Sequence, residues 1–112
     1  MKKTDNERLN SIVRLWEDLS KEINNRNITP ELLLKDEFIQ WAITTPLYNI
    51  GEQVYNLSPE FKQQYPAIPW NMVSGLRHRL VHNYEGINWS IISDVVFCEM
   101  DEFVAKIKAI IS

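Results

Sequence analysis

The chain has 112 residues, a single cysteine, a formal net charge of −3, 45% hydrophobic residues and only three glycines. That suits one domain spanning 1–112 with a single core, and it argues against a disordered chain. Cys98 alone forms no intramolecular disulfide, no apolar run nears the roughly 20 residues that cross a bilayer, and no basic start leads into an apolar leader, so a cytoplasmic protein is expected. The acidic balance speaks against binding nucleic acid by bulk attraction. Any such contact would depend on a local basic patch.

Thr4 or Asp5 is placed to cap a first helix that runs to about Asn24, in which Leu9, Ile12, Val13, Trp16, Leu19 and Ile23 recur at threes and fours. Asn24 to Asn27 form a polar break. Thr29, Pro30 and Glu31 then supply a cap, a proline at the first helical position and an acidic first turn for a short helix containing Leu32, Leu33 and Leu34. Asp36 caps the next helix, whose Phe38, Trp41, Ala42, Tyr48 and Val54 are expected to face the core. Pro46 removes a backbone donor inside that pattern and predicts a kink between Ala42 and Pro46 rather than two unrelated helices. Gly51 lowers helix propensity locally, while its missing side chain would let another helix approach.

Ser58, Pro59 and Glu60 restart the chain as a short helical turn that Pro66 stops. Pro69 is then read as the first position of a helix that carries Trp70 into the core and ends near Asn83 to Gly86. Asn88 caps the last helix, to which Ile92, Val95, Val96, Phe103, Val104, Ile107 and Ile110 give a broad apolar face. No stretch alternates with period two for long enough to make a strand. The expected architecture is an all-α bundle of four main helices with short connecting helical turns.

Chemistry concentrates in Arg77 to Tyr84, Arg-His-Arg-Leu-Val-His-Asn-Tyr, which holds two imidazoles, two guanidinium groups and a phenol. At about 100° per residue, Arg77 and Tyr84 fall on nearly one line of a helix, and His78 and His82 stack one turn apart. Val73, Leu76 and Leu80 form a separate apolar stripe that would anchor the helix. Taken singly, a surface His or Arg near a helix end often only complements the helix dipole, and a Tyr often packs. His at i and i+4 is also half of a zinc site. The HExxH form, however, needs Glu where Arg79 stands, and Cys98 is far along the chain, so no metal is expected.

Arg77, four intervening residues, His82, one more and Tyr84 reproduce the R-x4-H-x-Y motif, and the chain from about Phe38 onward resembles the HEPN superfamily in the form of HepT-type ribonuclease toxins. Ile68-Pro69-Trp70, Gly75-Leu76-Arg77, Glu85-Gly86-Ile87-Asn88-Trp89 and Ile50-Gly51-Glu52 carry the likeness around the motif. It departs at His78, where many members have Asn; another polar side chain there should still reach the next turn.

Metal-independent RNA cleavage needs a base for the 2′-hydroxyl proton and a positive charge for the phosphorane, tasks suited to His82 and Arg77, with His78 and Arg79 in support and no cofactor. On an ideal helix Arg77 and His82 lie about 140° apart, so one copy does not readily aim both at one phosphate. The resemblance implies a homodimer, or a higher assembly, in which two motif helices form a composite cleft. Single-stranded RNA is the expected substrate, because its backbone is flexible enough for in-line attack and its bases can stack on exposed aromatics. The resemblance also implies a partner, a nucleotidyltransferase antitoxin that transfers AMP to Tyr84. The alternative function is a non-catalytic helical partner or substrate-binding module of a nucleotidyltransferase, which would not need Arg77, His82 and Tyr84 together.

Overall fold

The computed structural model describes residues 4–81 and 86–111. All regular elements among them are helical: α1 (Asp5–Asn25), α2 (Pro30–Lys35), α3 (Glu37–Tyr55), α4 (Pro59–Gln64), α5 (Trp70–Val81), α6 (Trp89–Asp94) and α7 (Met100–Ile111). A single π-helical segment, Val95–Glu99, joins α6 to α7, so the C-terminal stretch reads as one long helix with a widened turn. There the Met100 amide donates to the Val95 carbonyl, five residues back. The all-α bundle expected from the periodicity is what is observed, with α1, α3, α5 and the C-terminal helix as its long members.

Local chemistry sets the starts of these helices. Thr4 and Glu7 form a reciprocal capping box on α1, Thr29 accepts from the Leu32 amide with Pro30 behind it, and Ser58 accepts from the Phe61 amide ahead of α4. Asp36 Oδ1 accepts from the Phe38 and Ile39 amides, and Asn88 Oδ1 from those of Ser90 and Ile91. Asp5 also reaches across the bundle to the amide and hydroxyl of Ser58, at 2.9 and 2.6 Å, and so ties the start of α1 to the start of α4. One start differs by a residue: α5 begins at Trp70, with Pro69 just outside it. The expected end of this helix, Asn83 to Gly86, falls largely outside the described residues.

Pro46 lies inside an unbroken α3. It has no N–H to offer the Ala42 carbonyl, but one missing bond does not end a helix whose other face is packed. The facing of α3 is a correction. Ile43, Leu47, Ile50, Gly51 and Val54 are its buried residues, whereas Phe38 is 73% and Trp41 50% exposed and Ala42 also faces outward. Of the residues expected inward, Val54 is buried and Tyr48 packs partly against the core. Side-chain size misled here: the smaller aliphatic residues lie a few positions on, around the opposite side of the helix.

The core runs through the whole molecule, from Leu9, Ile12, Trp16 and Leu19 of α1 to Met100, Phe103, Val104 and Ile107 of α7. Trp70 fixes the start of α5. Its ring meets Phe103 edge-on at 5.9 Å and Phe61 at 5.9 Å, and its indole N–H donates to the carbonyls of Lys62 and Tyr65. From that anchor Val73, Leu76 and Leu80 run along the core, leaving the residues between them on the flanks.

α3 and α5 approach each other tightly at Gly51. A Cβ built there would stand 2.9 Å from the Arg77 backbone nitrogen and 3.1 Å from the Val73 carbonyl oxygen, so both contacts are with backbone that cannot swing aside. Gly51→Ala should therefore push α5 outward and destabilise the protein by about 1–3 kcal/mol, the usual range for overpacking. Chemical denaturation checks this. An unchanged midpoint would show that the crossing is looser than its geometry indicates.

Candidate functional site

Arg77 emerges from α5 at this crossing and turns toward α3. Its Nε donates to Glu52 Oε2 at 2.7 Å, and the two side chains keep 31% and 35% of their surface exposed. Its guanidinium carbon lies 4.0 Å from the centre of the Tyr55 ring, a cation–π distance. Glu52 and Tyr55 are three residues apart on the last turns of α3, hence on one face. The Glu52 carboxyl is held below the usual carboxylate range, first by the hydrogen bond from Arg77 and further by Asn56, whose Nδ2 is 3.2 Å from Oε1, and by Tyr48; partial desolvation opposes these. Arg77 is raised by the same partner.

His78 and Arg79 occupy the last turn of α5 and are exposed. They line a depression of about 170 Å³ together with Gly86, Ile87 and Asn88 at the entrance to α6. Arg77 is thus gathered with Glu52, Tyr48 and Tyr55 on the α3 side, while His78 and Arg79 open toward the α6 side. His82 and Tyr84 lie outside the described residues. Both belong to the stretch between Val81, the last described residue of α5, and Gly86.

Reading the motif alone missed two partners of Arg77. Tyr55 carried no signal beyond being aromatic. Glu52 was visible only as part of Ile50-Gly51-Glu52, and the one physical hint was the glycine beside it, which admits the backbone of α5. Among the described residues, no three His, Cys, Asp or Glu side chains converge as a metal site would require, and no helix is long and apolar enough to cross a membrane.

An all-α bundle with a guanidinium held at a glycine crossing, in a sequence that continues with a histidine five and a tyrosine seven residues further on, fits the helical class that the HEPN resemblance implies. The match to "Ribonuclease HepT-like" covers residues 7–110, and the chain belongs to that family. It is 39% identical over 85 residues to "Putative RNase MJ0127" of Methanocaldococcus jannaschii, covering 76% of this chain and 70% of that one. "Putative RNase TTE0752" of Caldanaerobacter subterraneus subsp. tengcongensis is 34% identical over 86 residues, 77% of each chain. "Probable ribonuclease HepT" of Thermococcus cleftensis is 34% identical over 67 residues, 60% of this chain and 61% of its own. No solved structure matches the chain.

Proposed function

We propose that this protein is a cytoplasmic, metal-independent endoribonuclease that cuts single-stranded RNA in a cleft shared by two copies, and that it is the toxin of a toxin-antitoxin pair whose nucleotidyltransferase partner adenylylates Tyr84. Membership of the HepT-like family, with Arg77 fixed at a helix crossing at one end of the motif, is the observation that carries the reading. In this reaction His82 takes the proton of a 2′-hydroxyl, the oxygen attacks the adjacent phosphorus, and the 5′-oxygen leaves as a 2′,3′-cyclic phosphate forms. The departing oxygen takes up a proton. Arg77 offsets the charge gathered on the phosphorane, and His78 and Arg79 add positive charge to a molecule that is acidic as a whole.

Incubation of the purified protein with a fluorescent single-stranded RNA in excess chelator is the test. Cleavage should persist undiminished in chelator. Loss of activity restored by added zinc would return the paired histidines to a metal site.

Association of two copies is supported by the large apolar side chains that the start of α3 presents outward: Phe38 and Trp41, whose ring centres are 6.5 Å apart, are 73% and 50% exposed. Such a patch on a small protein marks a contact surface. Light scattering at micromolar concentration should show a dimer or a dimer of dimers. An active species of monomer mass would refute the shared cleft.

A further inference from the structure

We propose that Glu52 and Tyr55 are positioning residues for Arg77: the carboxylate occupies its Nε edge and the ring supports one face of its guanidinium, so that the Nη edge is the one presented to an RNA phosphate. This rests on the ribonuclease reading and adds to it two residues outside the motif.

A long arginine side chain gives up rotamer freedom when it is fixed, and a charge stabilises a transition state well only when it is already in place. Here three devices converge within one turn of α3. Gly51 admits the backbone of α5 so closely that an added Cβ would stand 2.9 Å from the Arg77 nitrogen. Glu52, next along the chain, accepts from Nε at 2.7 Å. Tyr55, three residues later, lies under the guanidinium at 4.0 Å from the Arg77 Cζ. Glu52 is itself steadied by Asn56, whose Nδ2 also donates to the Glu52 carbonyl at 2.9 Å. Among the described residues, the Nε contact is the only ion pair that Arg77 makes, which leaves the paired Nη groups for the fork-like geometry that suits a phosphate.

Two rivals make opposite forecasts. If Glu52 were a brake that neutralises Arg77 and repels phosphate, removing its charge would speed cleavage. If the pair were only structural, its effect would follow stability, and a partly exposed ion pair contributes little there.

Steady-state cleavage of a short single-stranded RNA by wild type, Glu52→Gln, Tyr55→Leu and Tyr55→Phe separates these. The expected result is a fall in kcat of up to about a hundredfold for Glu52→Gln and Tyr55→Leu, the scale of a misplaced catalytic group. KM should change far less, thermal midpoints should stay near wild type, and Tyr55→Phe should recover most of what Tyr55→Leu loses. In nitrogen-resolved NMR the Arg77 Nε–H resonance, assigned by its loss in Arg77→Ala, should be sharp in wild type and broadened in Glu52→Gln. Faster cleavage by Glu52→Gln, wild-type kcat in Tyr55→Leu, or losses that merely track melting would overturn the proposal. If wild type cleaves no RNA, the ribonuclease reading fails separately. The clamp is then decided by the Nε–H resonance alone, and a signal unchanged in both Glu52→Gln and Tyr55→Leu refutes it.

Discussion

Arg77→Ala and His82→Ala should each remove RNA cleavage, by about two to four orders of magnitude, the range for losing a general base or a preorganised charge. Helicity and thermal midpoint should remain near wild type in Arg77→Ala, because this side chain is partly exposed and its ion pair with Glu52 stays open to water. Glu52 left alone can be solvated, so no buried charge is stranded. His78→Ala should cost less, since that residue opens toward the start of α6, away from the Glu52 side. Cleavage of a labelled RNA, with circular dichroism on the same samples, tests all three. Wild-type cleavage by either Arg77→Ala or His82→Ala would refute the assignment of the motif.

Short-range chemistry made the helix starts legible. A cap and the amides it serves are two or three residues apart, so Thr29 before Pro30, Ser58 before Pro59 and Asn88 before Trp89 each carry their own information. The orientation of α3 was harder to read, because Phe38 and Trp41 look like core residues on hydrophobicity alone. Only the packing against α1 and α5 shows that Ile43, Leu47 and Ile50 fill the inner face. Phe38 and Trp41 stay outward because the inner face of α3 is already filled by these aliphatic side chains.

The site was legible in part for a similar reason. Periodicity identified α5 and separated its apolar stripe from its polar flank, and Val73, Leu76 and Leu80 are buried as that separation requires. The partner of Arg77 lies 25 residues earlier, and no local rule links positions that far apart. Gly51 was the exception. Reading it as a point where another helix could approach holds in the structure, although that reading named neither α5 nor the carboxylate beside it.

The widened turn at Val95–Glu99 left no trace in the apolar pattern. Val95, Val96 and Met100 are all buried, as an ordinary helix with the same residues would also allow.

Co-expression with a neighbouring nucleotidyltransferase should add one or more AMP units to Tyr84 and suppress cleavage. Tyr84 follows Val81, the last described residue of α5, by three positions, and Val81 is already 51% exposed. A second protein approaching the described end of this helix meets the exposed side chains of His78, Arg79 and Val81 before the buried Leu80. Tyr84 follows Arg77 by seven positions in the sequence, and in the proposed reaction a phosphate attached to it would compete for the positive charge assigned to Arg77. Bulk and charge would then block the site together, the anionic adduct pairing with a guanidinium otherwise offered to RNA. Tyr84→Phe keeps the ring and removes the only oxygen that can accept the group. It should fold, cleave RNA and resist silencing. Intact-mass measurement of the co-expressed proteins, beside cleavage assays, decides the matter. An unmodified wild type, or a Tyr84→Phe variant silenced equally well, would replace covalent modification with inhibition by simple complex formation.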